Sequence, residues 1–85
     1  MKRNGWIEVK TKSSTCQIVA RKLRQMPEVT AADALFGNVD VLALVEIDEA
    51  KGDYLDQLEK IIGKIKNIPE VVTTVTRPTK RPKEA

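Results

Sequence analysis

The sequence predicts an α+β domain with its elements in the order βαββαβ. The main observation is an internal repeat, because residues 23–29 (LRQMPEV) recur in conservative form 42 positions later as residues 65–71 (IKNIPEV). In both copies an apolar helical stripe leads to a proline and then to a β-branched run. Proline cannot continue a helix and pushes the preceding residue out of helical geometry, so each copy ends a helix and begins a strand there.

The first half reads as a strand, a helix and a second strand. Residues 6–10 alternate between apolar and polar side chains, which is typical of a strand. Ser14 and Gln17 have the spacing of a capping box, so we expect the first helix to begin there and to end near Met26. The β-branched run after the first proline predicts a strand over residues 29–36.

The second half repeats this order. Gly37 and Asn38 tolerate positive φ and predict a tight hairpin, followed by a third strand over residues 39–48. A second helix is expected after Gly52, with Asp53 as its N-cap. The last strand is predicted over residues 71–76.

Two right-handed βαβ units joined by a hairpin give a four-stranded antiparallel sheet with two helices on one face, the ferredoxin-like arrangement. The first and third strands are then central. The third strand is apolar on both faces, and Leu42 and Leu44 lie on the face that the helices cannot cover. A strand of this kind is covered on both sides, so we expect a dimer with packed sheets and with Leu42 and Leu44 in its interface.

The composition limits the possible chemistry. The 85 residues fit one small domain, and such domains often gain stability by oligomerising. A single cysteine and no histidine exclude an internal disulfide and a zinc site of the usual kind, and we expect no metal and no cofactor. The apolar runs are too short to span a bilayer and no secretory signal is visible, so we expect a cytoplasmic protein without membrane contact.

The positive charge lies at the two ends of the chain. The formal net charge is +3, yet residues 5–76 carry nine Lys or Arg against eleven Asp or Glu. We therefore divide the chain into an N-terminal arm (1–4), a ligand-binding and oligomerisation domain (5–77) and a flexible basic tail (78–85). Because the body is slightly acidic and the third strand lacks aromatic residues, we expect no direct binding of nucleic acid.

Catalysis has little support in the sequence. The chain has no histidine and no glycine-rich phosphate loop, and its strand carboxylates are of the kind that is usually solvated. Cys16 falls in the first turn of a helix, where we expect it to pack as a small hydrophobic residue. We predict that the protein is not an enzyme.

Two segments resemble a known family. Residues 34–46 (ALFGNVDVLALVE) and 68–76 (IPEVVTTVT) are similar to the effector domain of Lrp/AsnC (feast/famine) transcriptional regulators, also called the regulation-of-amino-acid-metabolism domain. The resemblance covers residues 6–76. Gly37 and Asp40 match the family's hairpin motif, and Thr74 and Thr76 match its last strand.

The sequence differs from the family pattern at two residues and in the helix-turn-helix that family regulators carry. Val39 stands where the family usually has an aromatic residue, and Glu70 stands where it usually has glycine. Family regulators carry a helix-turn-helix before this domain, whereas here the first strand starts within six residues. The resemblance therefore implies a stand-alone effector domain.

In this family, dimers form through the sheets and assemble into rings, commonly of eight subunits. Small effectors, usually amino acids, bind between dimers near the hairpin. The ligand-binding residues that the resemblance implies are Gly37, Asn38, Val39, Asp40, Thr74 and Thr76. Backbone groups of the hairpin would meet the ligand, the threonines would supply hydroxyls, and Asp40 would hold the ammonium group or brace the turn. Binding would then bias assembly, or pairing with full-length Lrp/AsnC regulators.

Three other functions stay open. An ACT-type amino-acid regulatory domain has the same element order, but it usually has glycine in the first strand–helix loop, which residues 11–14 lack. A small enzyme of the dimeric α/β-barrel type is disfavoured by the lack of histidine. A structural module that binds no ligand is kept open by Val39.

Overall fold

The computed structural model describes residues 2–35 and 40–79. A four-stranded sheet has the order β2-β3-β1-β4, every neighbouring pair is antiparallel, and two helices complete the βαββαβ order. This confirms the predicted ferredoxin-like fold with β1 and β3 at the centre. The elements are β1 (Lys2–Thr11), α1 (Cys16–Arg24), β2 (Val29–Ala34), β3 (Val41–Asp48), a 3₁₀ turn (Glu49–Lys51), α2 (Tyr54–Lys66) and β4 (Val71–Pro78).

Two strands are longer than the sequence pattern indicates. β1 begins at Lys2, which pairs with Asp48, and β4 continues to Pro78, which pairs with Gly5. The β1 segment before Trp6 has little strand propensity, but all four residues from Lys2 to Gly5 pair with β3, and Gly5 also pairs with β4. Tertiary pairing therefore overrides local propensity. Neither helix of the described residues is long and apolar enough to cross a membrane.

The predicted hairpin residues Gly37 and Asn38 lie outside the described residues. The strands on either side of them are connected by a backbone hydrogen bond, in which the Leu35 N–H donates to the Asp40 carbonyl at 2.8 Å. β2 and β3 pair up to Ala34 and Val41. The β2–β3 connection therefore joins adjacent antiparallel strands, as the sequence predicts.

The helix starts differ from each other. Asp53 caps α2 as predicted, because its side chain accepts from the Leu55 and Asp56 N–H groups at 3.1 and 3.2 Å. The predicted capping box of Ser14 and Gln17 is wrong. Thr15 is the N-cap residue of α1, makes no capping bond, and donates its hydroxyl back to the Lys12 carbonyl at 2.6 Å. Ser14 has a φ of 63°, so it serves the turn before the helix.

The core lies between the two helices and one face of the sheet. On β3 the buried residues are Val41, Ala43, Val45 and Ile47, whereas the alternate residues are half-buried on the other face. Ile7 and Val9 of β1 and Leu23 of α1 are fully buried in the same cluster. Cys16 is partly buried and packs against this core, as expected for a small hydrophobic residue.

Gly5 allows Tyr54 of α2 to pack against the backbone of β1. The Tyr54 hydroxyl donates to the Asn4 carbonyl at 2.6 Å, and the Arg3 guanidinium lies 3.8 Å from the centre of its ring. A Cβ atom on Gly5 would lie 3.0 Å from the Tyr54 hydroxyl oxygen and 3.2 Å from Leu58 Cδ2. The close approach of α2 to β1 therefore requires glycine here.

The internal repeat is visible as a repeated set of backbone contacts. The Glu28 carbonyl accepts from the Glu46 N–H at 3.0 Å, and the Glu70 carbonyl accepts from the Lys12 N–H at 2.8 Å. Each edge strand also has a bulge at its second residue, Thr30 in β2 and Val72 in β4, where the pairing register shifts. The two halves are therefore built in the same way.

Two ion pairs cross between the halves. Lys22 of the first half pairs with Glu70 at 2.8 Å, and Lys64 of the second half pairs with Glu28 at 2.7 Å. The hydrogen bond from each lysine lowers the pKa of its glutamate below the usual value. A lowered carboxyl pKa means that the stabilisation is present above the unfolded pKa and is lost as the pH falls through the folded pKa.

We expect Lys64→Met to lower the free energy of unfolding at pH 7 by about 1 kcal/mol or less, since the pair with Glu28 is near the surface. Because Glu28 is protonated in strong acid, the difference from the unsubstituted chain should disappear at about pH 2. Urea unfolding at both pH values measures this, with Lys66→Met on the same helix as the control. An equal loss at both pH values would show that the methylene stem matters and the charge does not.

The glycines of β1 and α2 should respond in opposite directions. Gly5→Ala is expected to lower the free energy of unfolding by about 1–3 kcal/mol, because the new methyl group displaces Tyr54. Gly63→Ala should raise it by about 0.5–1 kcal/mol, since Gly63 is in a helix and its Cβ meets nothing within 4 Å. Urea denaturation of both variants checks the sign of each change.

Candidate functional site

Asp40 connects three strands at one end of the sheet. Its carboxylate Oδ2 accepts the backbone N–H of Thr11, at the end of β1, at 2.8 Å. Its carbonyl accepts from Leu35, just after β2, and Asp40 itself lies immediately before β3. The family resemblance implies that Asp40 either holds a ligand's ammonium group or braces the turn. These contacts are those expected of a residue that braces the turn.

Thr74 and Thr76 lie on the helix-covered face of the edge strand β4. They pair with Val9 and Ile7, whose side chains are fully buried beneath the helices. Both threonines are half-buried, whereas their neighbour Val75 is exposed on the opposite face. Residues directly opposite one another in an antiparallel pair share a face, so the threonine hydroxyls lie at the border of the core.

The predicted ligand residues do not meet within one chain. β1 separates β3 from β4, so Asp40 and Thr74 belong to strands about 10 Å apart, which is two strand spacings. Both are at the same end of the sheet, because Val9 pairs with Val41 on one side and with Thr74 on the other. The predicted residues Gly37, Asn38 and Val39 lie outside the described residues.

Surface grooves are present at the opposite end of the sheet. One has a volume of about 260 Å³, and we call it the lysine groove; it is lined by Glu28, Lys51, Gln57, Lys60, Ile61 and Lys64. A second groove of about 320 Å³ shares three of these residues, and a third of about 250 Å³ lies beside Arg3 and Tyr54. None of these three grooves includes Asp40, Thr74 or Thr76.

Sequence reasoning missed the lysine groove. Two of its lysines, Lys60 and Lys64, are four positions apart and therefore share one face of α2. That spacing was available in the sequence, but it is common on solvated helices. The position of Lys51 in the groove depends on how the chain between β3 and α2 folds. No local sequence pattern predicts the path of that connection.

The second face of the sheet presents an apolar strip without covering helices. Leu44 pairs with Trp6, and Leu42 lies two residues away on the same face. Trp6 is 39% exposed and Val75 on β4 is 47% exposed. We call Trp6, Leu42, Leu44 and Val75 the open sheet face; the sequence predicted its two leucines but not the tryptophan or the valine.

Two ion pairs lie on the same side of the sheet as the open sheet face. Glu8, which lies between Leu42 and Val75 in the sheet, pairs with Arg77 at 2.6 Å, and Lys2 pairs with Glu46 at 3.1 Å at the start of β1. The face therefore combines apolar side chains with ion pairs, and protein–protein interfaces commonly contain both. The arrangement suits contact with another protein surface better than it suits a small-molecule pocket.

Comparisons with known proteins agree with this architecture. The hypothetical protein PHS023 from Pyrococcus horikoshii is 29% identical, with a TM-score of 0.78, and the match covers 98% of this chain and 94% of that one. AsnC from E. coli is 24% identical with a TM-score of 0.77, and the match covers 96% of this chain and 53% of AsnC.

A more distant structure is the transcriptional regulator NMB0573 from Neisseria meningitidis, solved in complex with L-Met. It is 16% identical with a TM-score of 0.73, and the match covers 98% of this chain and 53% of the regulator. Among curated proteins, none matches the chain significantly in sequence. The family model of the Lrp/AsnC ligand binding domain matches residues 5–79, and the chain therefore belongs to the Lrp/AsnC ligand-binding domain family.

Proposed function

We propose that this regulatory effector domain forms a dimer through its open sheet face and binds an amino acid beside the β2–β3 connection. The observation that carries the proposal is the open sheet face, an apolar strip in a domain whose family acts in transcription regulation. Ligand binding would change the assembly of the domain or its pairing with full-length Lrp/AsnC regulators. The role is non-enzymatic and cytoplasmic, without direct contact to nucleic acid.

The open sheet face supports dimerisation on physical grounds. Trp6 and Val75 leave large apolar surfaces in water, and burying such surface contributes about 25 cal/mol per Å². A second copy offers a face of the same size and chemistry, so a two-fold contact can pack the apolar side chains of the two copies together. By resemblance to the family, such dimers assemble further into an even-numbered ring such as an octamer.

An amino-acid site between subunits is supported by the position of the predicted residues. Asp40 offers a carboxylate for an ammonium group, and Thr74 and Thr76 offer hydroxyls, but β1 keeps these groups apart within one chain. A neighbouring subunit would bring a second set of the same groups to this end of the sheet. The regulator NMB0573, which shares the fold, was solved with L-Met, and this supports an amino acid as the effector.

A structural module without a ligand is the second candidate. The observation that favours it is the hydrogen bond from the Thr11 N–H to the Asp40 carboxylate, since that contact alone gives Asp40 a purely structural role. The two candidates share the dimer and differ in the response to amino acids. The two experiments below test the dimer and the ligand separately.

We expect Leu44→Asp to convert the assembly into monomers or to weaken it strongly, because the new carboxylate would be buried beside Trp6 in the interface. Light scattering coupled to size exclusion measures the mass. Leu55→Asp is the matched control, because Leu55 is 57% exposed on α2 and lies away from the sheet. An unchanged mass for Leu44→Asp, or a monomeric unsubstituted chain, would contradict dimerisation through this face.

We expect at least one amino acid to raise the melting temperature, since a ligand at one hundred times its dissociation constant stabilises by about 2.7 kcal/mol. Thr74→Val should reduce this shift because it removes a hydroxyl while keeping the shape of the side chain. Thr73→Val is the control, because Thr73 pairs with Lys10 on the opposite face.

Asp40→Asn separates the two roles of Asp40 in the same assay. The amide oxygen can still accept the Thr11 N–H, so the variant should fold, whereas the loss of charge should abolish the response to an amino acid held by its ammonium group. If no amino acid shifts the melting temperature of the unsubstituted chain, the structural module is the correct function.

A further inference from the structure

The connection between β3 and α2 breaks the symmetry of the two halves. Equivalent residues in the helices and edge strands of the two halves are 42 positions apart in sequence. Glu28 and Glu70 are such a pair, because their carbonyls accept the same kind of bond at the two turns. The central strands that precede the helices are only 34 positions apart. Thr11 of β1 pairs with the first residue of β4, Val71, and the equivalent residue that pairs with the first residue of β2, Val29, is Val45 of β3. The second half therefore has eight additional residues: three extend β3, four start α2 earlier, and the connection has five residues (49–53) against four (12–15) in the first half.

The longer connection is held by specific contacts. Asp48 Oδ1 accepts the Ala50 N–H at 3.0 Å and starts the 3₁₀ turn Glu49–Lys51. Gly52 has a φ of 148°, which other residues rarely adopt. The Gln57 side chain of α2 donates to the carbonyls of Asp48 and Gly52, both at 2.9 Å. The backbone that carries Lys51 is therefore fastened to α2 at both ends.

This connection forms one wall of the lysine groove. Lys51 comes from the connection, while Lys60 and Lys64 come from α2, and Ile61 is the apolar member of the lining. Glu28 neutralises Lys64 through the ion pair at 2.7 Å. Among residues 2–35 and 40–79, Lys51 and Lys60 have no ion-pair partner. Two lysines without an ion-pair partner among the described residues thus line one groove.

The first half provides an internal comparison. Lys22 and Glu70 correspond there to Lys64 and Glu28 and form the same ion pair. The position that corresponds to Lys60 is Ile18, which is 44% exposed. The ion pair therefore belongs to the fold that the halves share, whereas Lys51 and Lys60 are additions that the fold does not require.

We propose that the lysine groove is an anion-binding site for a small dianion, either a phosphate group or a dicarboxylate. Two like charges beside one groove raise the local concentration of counter-ions, and lysine ammonium groups bind phosphate and carboxylate oxygens as compact point charges. The groove lies at the end of the sheet opposite Asp40 and Thr74, so the site is distinct from the proposed amino-acid site. It does not depend on dimerisation or on amino-acid binding.

The test is a titration of the ¹⁵N-labelled full chain with sodium phosphate, and separately with sodium succinate, at pH 7 and constant ionic strength. We expect the backbone amide signals of Lys51, Gly52 and Lys60 to shift and to saturate. Saturation by phosphate alone identifies a phosphate ligand, saturation by succinate alone a dicarboxylate, and saturation by both a general dianion site.

Matched single substitutions on α2 make the test specific. Lys60→Gln should weaken binding about fivefold, as expected for the loss of one favourable charge contact near a surface. Lys66→Gln removes the same charge from the same helix outside the groove, and it should leave the affinity unchanged. Shifts that do not saturate, or an equal weakening by both substitutions, would overturn the proposal.

Discussion

The turn from helix to edge strand, made twice around a Pro-Glu pair, is the constraint on which the rest of the structure depends. At each turn the helix ends before the proline, and the glutamate carbonyl accepts an N–H beside a central strand, from Glu46 or from Lys12. A buried carbonyl needs such a partner, so this bond fixes where each edge strand enters the sheet. The crossed ion pairs then hold each helix over the entry point of the other half.

Because both turns place their helices on the same side, one face of the sheet is left without cover. The alternation of β3 follows from this, with Val41, Ala43 and Val45 in the core and Leu42 and Leu44 on the open sheet face. The topology leaves this face uncovered, but it does not require apolar side chains there. The apolar strip therefore has two causes, the uncovered face and the choice of leucine at positions 42 and 44. Exposed apolar patches on a domain surface mark sites of contact with other proteins, so Leu42 and Leu44 favour a protein partner.

The sequence predicted the element order, the central strands and the Asp53 cap because each depends on local periodicity or on a single side chain. It failed at Lys2, where pairing with β3 makes a strand of a segment without strand propensity, and at Ser14, where the turn has a positive φ instead of a cap. The face of Thr74 depends on the bulge at Val72, which shifts the register of β4. The lysine groove depends on the path of the β3–α2 connection, and no local pattern indicates that path.

Comparison of the two halves distinguishes contacts that both halves share from features that occur in only one. Contacts present in both halves belong to the shared fold: the turn carbonyls fix where each edge strand enters the sheet, and the crossed ion pairs add a small stabilisation. Two features occur once: Asp40, which braces the β2–β3 connection against Thr11, and the longer β3–α2 connection that brings Lys51 towards Lys60. They lie at opposite ends of β3, one offering a negative group and the other positive groups. These two ends are therefore where we expect ligand recognition.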